Sequence, residues 1–208
     1  MGAARLDQAG AKAIRVRVNE HRGAKGAVAR VCAAVLALAL MVEPIAAASA
    51  FSGEVSQADL QAALRSLGFL TALEKRSAIQ LGVVYSSNDP EAKSQAQRVA
   101  AMLGKLSGPG SASVQVSVLS VQEAAQSSQH VDALYLLPLP YDSGKVISDA
   151  VKRQGVVSIS PDPACLEMSA CVLYVQTRPT MTIVLDTALA QAAGARFSTV
   201  FTMMVKRR

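Results

Sequence analysis

The chain has 208 residues with 21 Lys or Arg, 15 Asp or Glu, two His, three Cys and no Trp. The formal charge is +6, but residues 1–50 hold seven of the basic and three of the acidic side chains, so residues 51–208 carry only +2. A nucleic-acid surface needs a basic stripe interleaved with aromatic platforms, and this balance, with aromatics at 4%, argues against one.

The first fifty residues follow the plan of an export signal. Arg5, Lys12, Arg15, Arg17, Arg22, Lys25 and Arg30 form a basic region, Val31 to Val42 is an uninterrupted apolar run, and Glu43-Pro44 breaks it. Ala48-Ser49-Ala50 then supplies the small residues that a signal peptidase requires. An apolar core this short falls below the ~20 residues of a membrane span. Cys32 stands at the start of the apolar run and not after it, which argues against a lipoprotein anchor. The expected organisation is a signal peptide over 1–50 and one α/β domain over 51–208, a length that suits a single core, located in the periplasm.

Ser56-Gln57-Ala58-Asp59 resembles a capping box, with Asp at the position usual for Glu. Leu60, Leu64 and Leu67 follow at helical spacing, a stripe that serves either as core or as a partner surface. Ala78 to Tyr85 reads as a first strand ended by Ser86-Ser87-Asn88-Asp89-Pro90, and Glu91 to Leu103 as a helix with Ala92, Ala96, Val99, Ala100 and Leu103 inward. Val114, Val116 and Val118 alternate with polar residues, the pattern of a half-exposed strand. A loop or short helix leads to Val131–Leu137, an apolar and therefore central strand closed by Pro138 and Pro140.

A helix from Asp142 or Ser143 to Arg153 places Val146, Ile147, Ala150 and Val151 on one face. Val156 to Ser160 is a short strand ended by Pro161-Asp162-Pro163. Val172–Gln176 and Met181–Leu185, parted by Thr177-Arg178-Pro179-Thr180, suggest a hairpin. Thr187 to Ala193 is a helix ended by Gly194, and Lys206-Arg207-Arg208 reads as the basic end of a C-terminal helix. Strands alternating with helices predict a three-layer domain with a mostly parallel, Rossmann-like sheet and a closing antiparallel hairpin. Val83, Leu134, Leu136 and Ile183 are the expected core.

Cys165 and Cys171 are six positions apart, and an oxidising compartment favours pairing them. Two cysteines and the single histidine of residues 51–208, His130, fall short of a four-ligand zinc site. No nucleophile–base pair, phosphate loop or metalloprotease motif is present, so no catalytic residue, cofactor or metal is expected. The polar turns after the strands, at 86–89, 138–142 and 160–162, form a candidate cleft, because open α/β sheets bind ligands beyond their carboxyl ends. The same residues also serve as ordinary turns.

Three segments in order, Val131–Leu137, Gly155–Asp162, and Met181–Asp186 running into Ala188–Ser198, resemble the YfiR/HmsC family of exported α/β proteins. The pair Cys165 and Cys171 resembles that family's second disulfide. The family's aromatic Phe-x-x-Trp-Pro element is missing, with Leu70 to Arg76 in its place, and Asp186 stands where Asn is usual. The resemblance implies a non-catalytic regulator: a periplasmic inhibitor of a membrane-bound diguanylate cyclase, linking redox or envelope state to cyclic-di-GMP and biofilm output. Its partner would be an envelope protein, the periplasmic part of that cyclase, with Leu60, Leu64, Leu67 and Asp162 as the candidate contact surface. The "vDAlyl" strand and the closing helix also resemble substrate-binding proteins of ABC-type amino-acid uptake systems, which implies the alternative of a single-lobe substrate-binding protein. Either reading is compatible with a homo-oligomer.

Overall fold

The computed structural model describes residues 54–126 and 130–208. The expected signal peptide over 1–50 lies outside the described residues. No helix among the described residues is long and apolar enough to cross a membrane.

Seven strands among the described residues form one sheet in the order β2-β1-β3-β4-β5-β6-β7. They are β1 (Ala78–Tyr85), β2 (Ser113–Ser120), β3 (Ala133–Leu136), β4 (Val157–Ser160), β5 (Leu173–Gln176), β6 (Thr182–Leu185) and β7 (Lys206–Arg207). The first five pair parallel, β6 is antiparallel to β5, and β7 is parallel to β6. The helices are α1 (Gln57–Leu67), α2 (Ala92–Leu103), α3 (Val121–Gln126), α4 (Tyr141–Gln154), α5 (Ala164–Glu167), α6 (Thr187–Ala192) and α7 (Thr199–Met204). Crossovers in both directions from β1 put α1 and α2 on one face and α3, α4 and α6 on the other, the arrangement that right-handed connections impose.

The centre of the sheet lies where the apolar runs place it. All four residues of β3 and of β4 are buried, as parallel strands covered on both faces require. Val83, Leu134 and Leu136 are in the core as expected. At the β2 edge Val114, Val116 and Val118 are half-buried, as their alternation predicts. At Gly82 the neighbours come close: a Cβ there would meet Leu119 Cδ1 at 2.8 Å and Leu134 Cδ2 at 3.0 Å.

Leu60, Leu64 and Leu67 are 0%, 2% and 0% exposed, so the stripe on α1 is core and is unavailable to a partner. A helix laid along a sheet hides its leucine stripe first, and α1 packs on β5. Val146, expected on the inward face, is exposed, because that face of α4 runs through Gly144, Ile147, Ser148, Ala150 and Val151. Ile183 is only half-buried, since β6 lies beyond the cover that α1 gives to β5.

Short elements settle what the sequence reading left open and, at the C-terminus, change it. The helix α3 is capped by Ser120 and Glu123: the Ser120 N–H and Oγ donate to Glu123 Oε2 at 2.7 and 2.8 Å, and the Glu123 N–H donates to Ser120 Oγ at 3.2 Å. This Ser-x-x-Glu box is a recognisable start signal. The cysteine loop contains α5, and residues after Gly194 form α7 and then β7. The basic segment 206–208 is therefore a strand end and not a helix end. The Arg208 N–H donates to the Leu185 carbonyl at 3.1 Å, and Arg208 Nε sits 3.4 Å from Asp186 Oδ2. The hairpin pairs Gln176 with Thr182, so its loop holds residues 177–181.

Candidate functional site

Four adjacent parallel strands, β1, β3, β4 and β5, end at the same edge of the sheet. The turns that follow them are rich in Ser, Asp and Pro, and the structure shows what most of their polar groups do. Asp89 Oδ1 accepts from the Glu91 N–H at 2.9 Å, ahead of α2. Ser87 Oγ donates to Gln122 Oε1 at 3.1 Å. Ser160 is buried, and its Oγ donates to the Leu136 carbonyl at 3.1 Å. Asp162 Oδ1 accepts from the Ala164 N–H at 3.0 Å and so starts α5. The Asp89 and Asp162 bonds are local turn or cap bonds, while Ser87 and Ser160 reach across to α3 and β3.

The best-organised polar group on this edge is one that the sequence reading used only as a cap. Asp59 is 5% exposed. Its Oδ2 accepts from the Ser56 N–H at 3.1 Å and from Ser56 Oγ at 2.6 Å, closing the expected box. Its Oδ1 accepts from the Thr177 N–H at 2.9 Å and from Thr177 Oγ1 at 2.6 Å, 118 residues away. Burial by itself raises this carboxyl, but the four bonds from Ser56 and Thr177 together outweigh it and hold the group below the ordinary carboxylate range. Asp59 therefore ties α1 to the end of β5.

Two tyrosines, one on β3 and one on β5, feel that charge. Burial raises the Tyr135 phenol far above its ordinary value, and Asp59 adds to the shift. Its hydroxyl is buried and has no hydrogen-bond partner among the described residues. Burial also raises Tyr174, with Asp162 and Asp59 contributing, and its hydroxyl bonds Gln176. Strand pairing aligns Tyr135 with Ile159 and Tyr174 with Ser160, which places the two rings on opposite faces of the sheet.

The turn after β3 is exposed on this edge, as are residues 87–91 after β1 and 178–180 after β5. Tyr141, the first residue of α4, is 59% exposed, and Lys145 Nζ lies 5.0 Å from its ring centroid. No side chain caps this helix, since the N-cap is Pro140, so its first-turn N–H groups are left for solvent or a ligand. The first turn packs on the cysteine loop, because a Cβ at Gly144 would run into Met168 Sδ. That loop is closed by the Cys165–Cys171 disulfide, with Cα atoms 5.4 Å apart. Asp162, half-buried, opens the same loop. The expected disulfide is present, and Asp162 stands in the turn after β4.

The other residues singled out in the sequence contribute less. His130 is exposed just before β3. Among the described residues no group of three His, Cys, Asp or Glu side chains gathers as a metal site.

Neither a family model nor a curated protein matches the chain. Among solved structures it is similar to the ABC domain in complex with L-Trp from Streptococcus pneumonia, with a TM-score of 0.50 and 14% identity over 72% of this chain and 60% of that one. It is equally similar to a conserved domain protein from Vibrio cholerae, with a TM-score of 0.50 and 10% identity over 73% of this chain and 59% of that one. A looser likeness is to the ligand-free, open structure of CD0873, a substrate binding protein with adhesive properties from Clostridium difficile, with a TM-score of 0.44 and 13% identity over 69% and 58%. The chain thus spans about three-fifths of the length of the structures it matches, and the likeness is one of fold.

Proposed function

We propose that the chain is an exported binding protein without catalysis, a single α/β lobe that takes a small zwitterion such as a free amino acid at the carboxyl ends of β3 and β4. The observation that carries this reading is that Asp162 and the uncapped first turn of α4 follow the adjacent strands β4 and β3, with Gly144 packed against Met168 of the disulfide-closed loop. Backbone N–H groups at a helix start favour a carboxylate, and the Asp162 carboxylate favours an ammonium. Tyr141 adds an exposed aromatic face. The fold likeness to the L-Trp-bound ABC domain supports the same choice of ligand class.

The test is calorimetric titration of the full chain with L-tryptophan and the other free amino acids. At least one should bind with a single equivalent, and Tyr141→Ala and Asp162→Asn, which keeps an acceptor for the Ala164 N–H, should weaken it while leaving the thermal midpoint close to that of the parent. Failure of every amino acid to bind overturns the reading.

The regulator reading draws its support from the disulfide, which joins the two cysteines that the sequence resemblance pairs. In that reading an envelope protein, the periplasmic part of a membrane diguanylate cyclase, is the partner, and the α1 stripe plays no part in the contact. Deleting the gene in its host while measuring cyclic-di-GMP and surface attachment separates the two. Raised levels favour regulation; unchanged levels with amino-acid binding favour uptake.

A further inference from the structure

A second concavity lies away from the carboxyl edge, between α1 and α7 over β6. Its volume is about 680 Å³, within the range of small-molecule pockets. The floor is aromatic and aliphatic: Phe69, Ile183 and Phe201 line it, and the Phe69 and Phe201 rings stack with centroids 4.8 Å apart. The rim includes Met181 and Met204, which are 60% and 64% exposed. Methionine at a rim gives an adaptable apolar wall.

Charge distinguishes this groove from a patch of imperfect core. Its charged lining residues are Arg65 and Lys206, and no acidic side chain lines it. Both cations are exposed, and neither joins an ion pair among the described residues. An apolar trough flanked by two unpaired cations is complementary to a molecule with an apolar body and one negative head. A second copy of the chain fits poorly, because a two-fold contact across this face brings its cations together. A flat bilayer surface fits poorly as well, because the aromatic floor is recessed behind the methionines.

We propose that the groove between α1 and α7 binds one free amphiphile of this kind, a chain or ring carboxylate, with its apolar body on Phe69, Ile183 and Phe201 and its carboxylate between Arg65 and Lys206. This site is independent of the carboxyl-edge reading, and the loss of either leaves the other standing.

The experiment is titration of the full chain with decanoate, with decyltrimethylammonium of the same chain length, and with phosphatidylglycerol vesicles. One equivalent of decanoate should bind, at least about tenfold more tightly than the cationic amphiphile, since charge-assisted contacts act only on the anion. Arg65→Gln with Lys206→Gln should abolish that preference. Met204→Glu, which places a negative charge on the exposed rim, should abolish decanoate binding, while Met203→Glu, at a residue 80% exposed and outside the lining, should not. Equal binding of both amphiphiles, several equivalents of decanoate, indifference to the variants, or binding to vesicles without binding to decanoate would each overturn the proposal.

Discussion

The carboxyl ends of β3, β4 and β5 and the flank formed by β6, α7 and β7 treat their side chains in opposite ways. At the first, most polar groups already have partners: Asp59 takes four hydrogen bonds, Ser160 Oγ donates to the Leu136 carbonyl, and Asp162 Oδ1 accepts from the Ala164 N–H. At the second, Met181, Val200, Met203 and Met204 are 60–80% exposed, and Arg65 and Lys206 have no charged partner among the described residues. The first region therefore has most of its buried polar groups tied down, with Tyr141 exposed and Asp162 half-buried at its rim. The second keeps apolar surface in water, which a folded chain tolerates most readily where something covers it.

The sharpest way to break this contrast is in the sheet centre. Leu134 is fully buried between β1 and β4, and Leu134→Ala should cost roughly 2 to 5 kcal/mol in denaturant unfolding. A loss well under ~1 kcal/mol would show that β3 is not the central strand. Replacing Cys165 and Cys171 with Ala should cost about 2 to 2.5 kcal/mol from the small closed loop. It should also reduce amino-acid binding, because the loop positions Asp162. Retained binding in a folded double variant would separate the loop from the site.

Asp59→Asn should cost about 1 to 2 kcal/mol, since an amide cannot accept all four bonds. The folded carboxyl is held low, so its contribution is present above the unfolded value of about 3.9 and is lost as pH falls through the folded value. Acid unfolding curves of parent and variant should accordingly converge at low pH, and parallel curves would deny Asp59 this role. Tyr135→Phe runs the other way. Its hydroxyl is buried without a partner among the described residues, and removing it should raise stability by up to about 1 kcal/mol. Last, Met204→Gln on the flank should change stability by under about 0.5 kcal/mol, the usual size of an exposed substitution.

How much of this was legible in the sequence follows the same division. Runs such as Ala78–Tyr85 and Val131–Leu137 locate the central strands because burial on both faces leaves them almost wholly apolar, with Gln80 and Asp132 the exceptions. The capping box at Ser56 and Asp59 was also visible, since it is local. Its second half was not: the bonds from Thr177 come from 118 residues away, and nothing in the pattern announces them. The Leu60, Leu64 and Leu67 stripe reads identically as core or surface, and only the position of β5 beneath it decides. The flank was the least legible. Met and Val spread over α7 resemble core residues, and β7 is two residues long, too short to carry a period. The candidate cleft was legible as a set of turns. Which of its groups are already satisfied depends on contacts that the sequence does not display.

The account's central claim is that a small ligand seats at the ends of β3 and β4. Hydrogen exchange of the full chain, with and without an equimolar mixture of the twenty amino acids, tests it most directly. The account predicts added protection in peptides covering 138–144 and 160–166, with no change over β6, α7 and β7. No added protection at the first two segments, or protection confined to the flank, would contradict it.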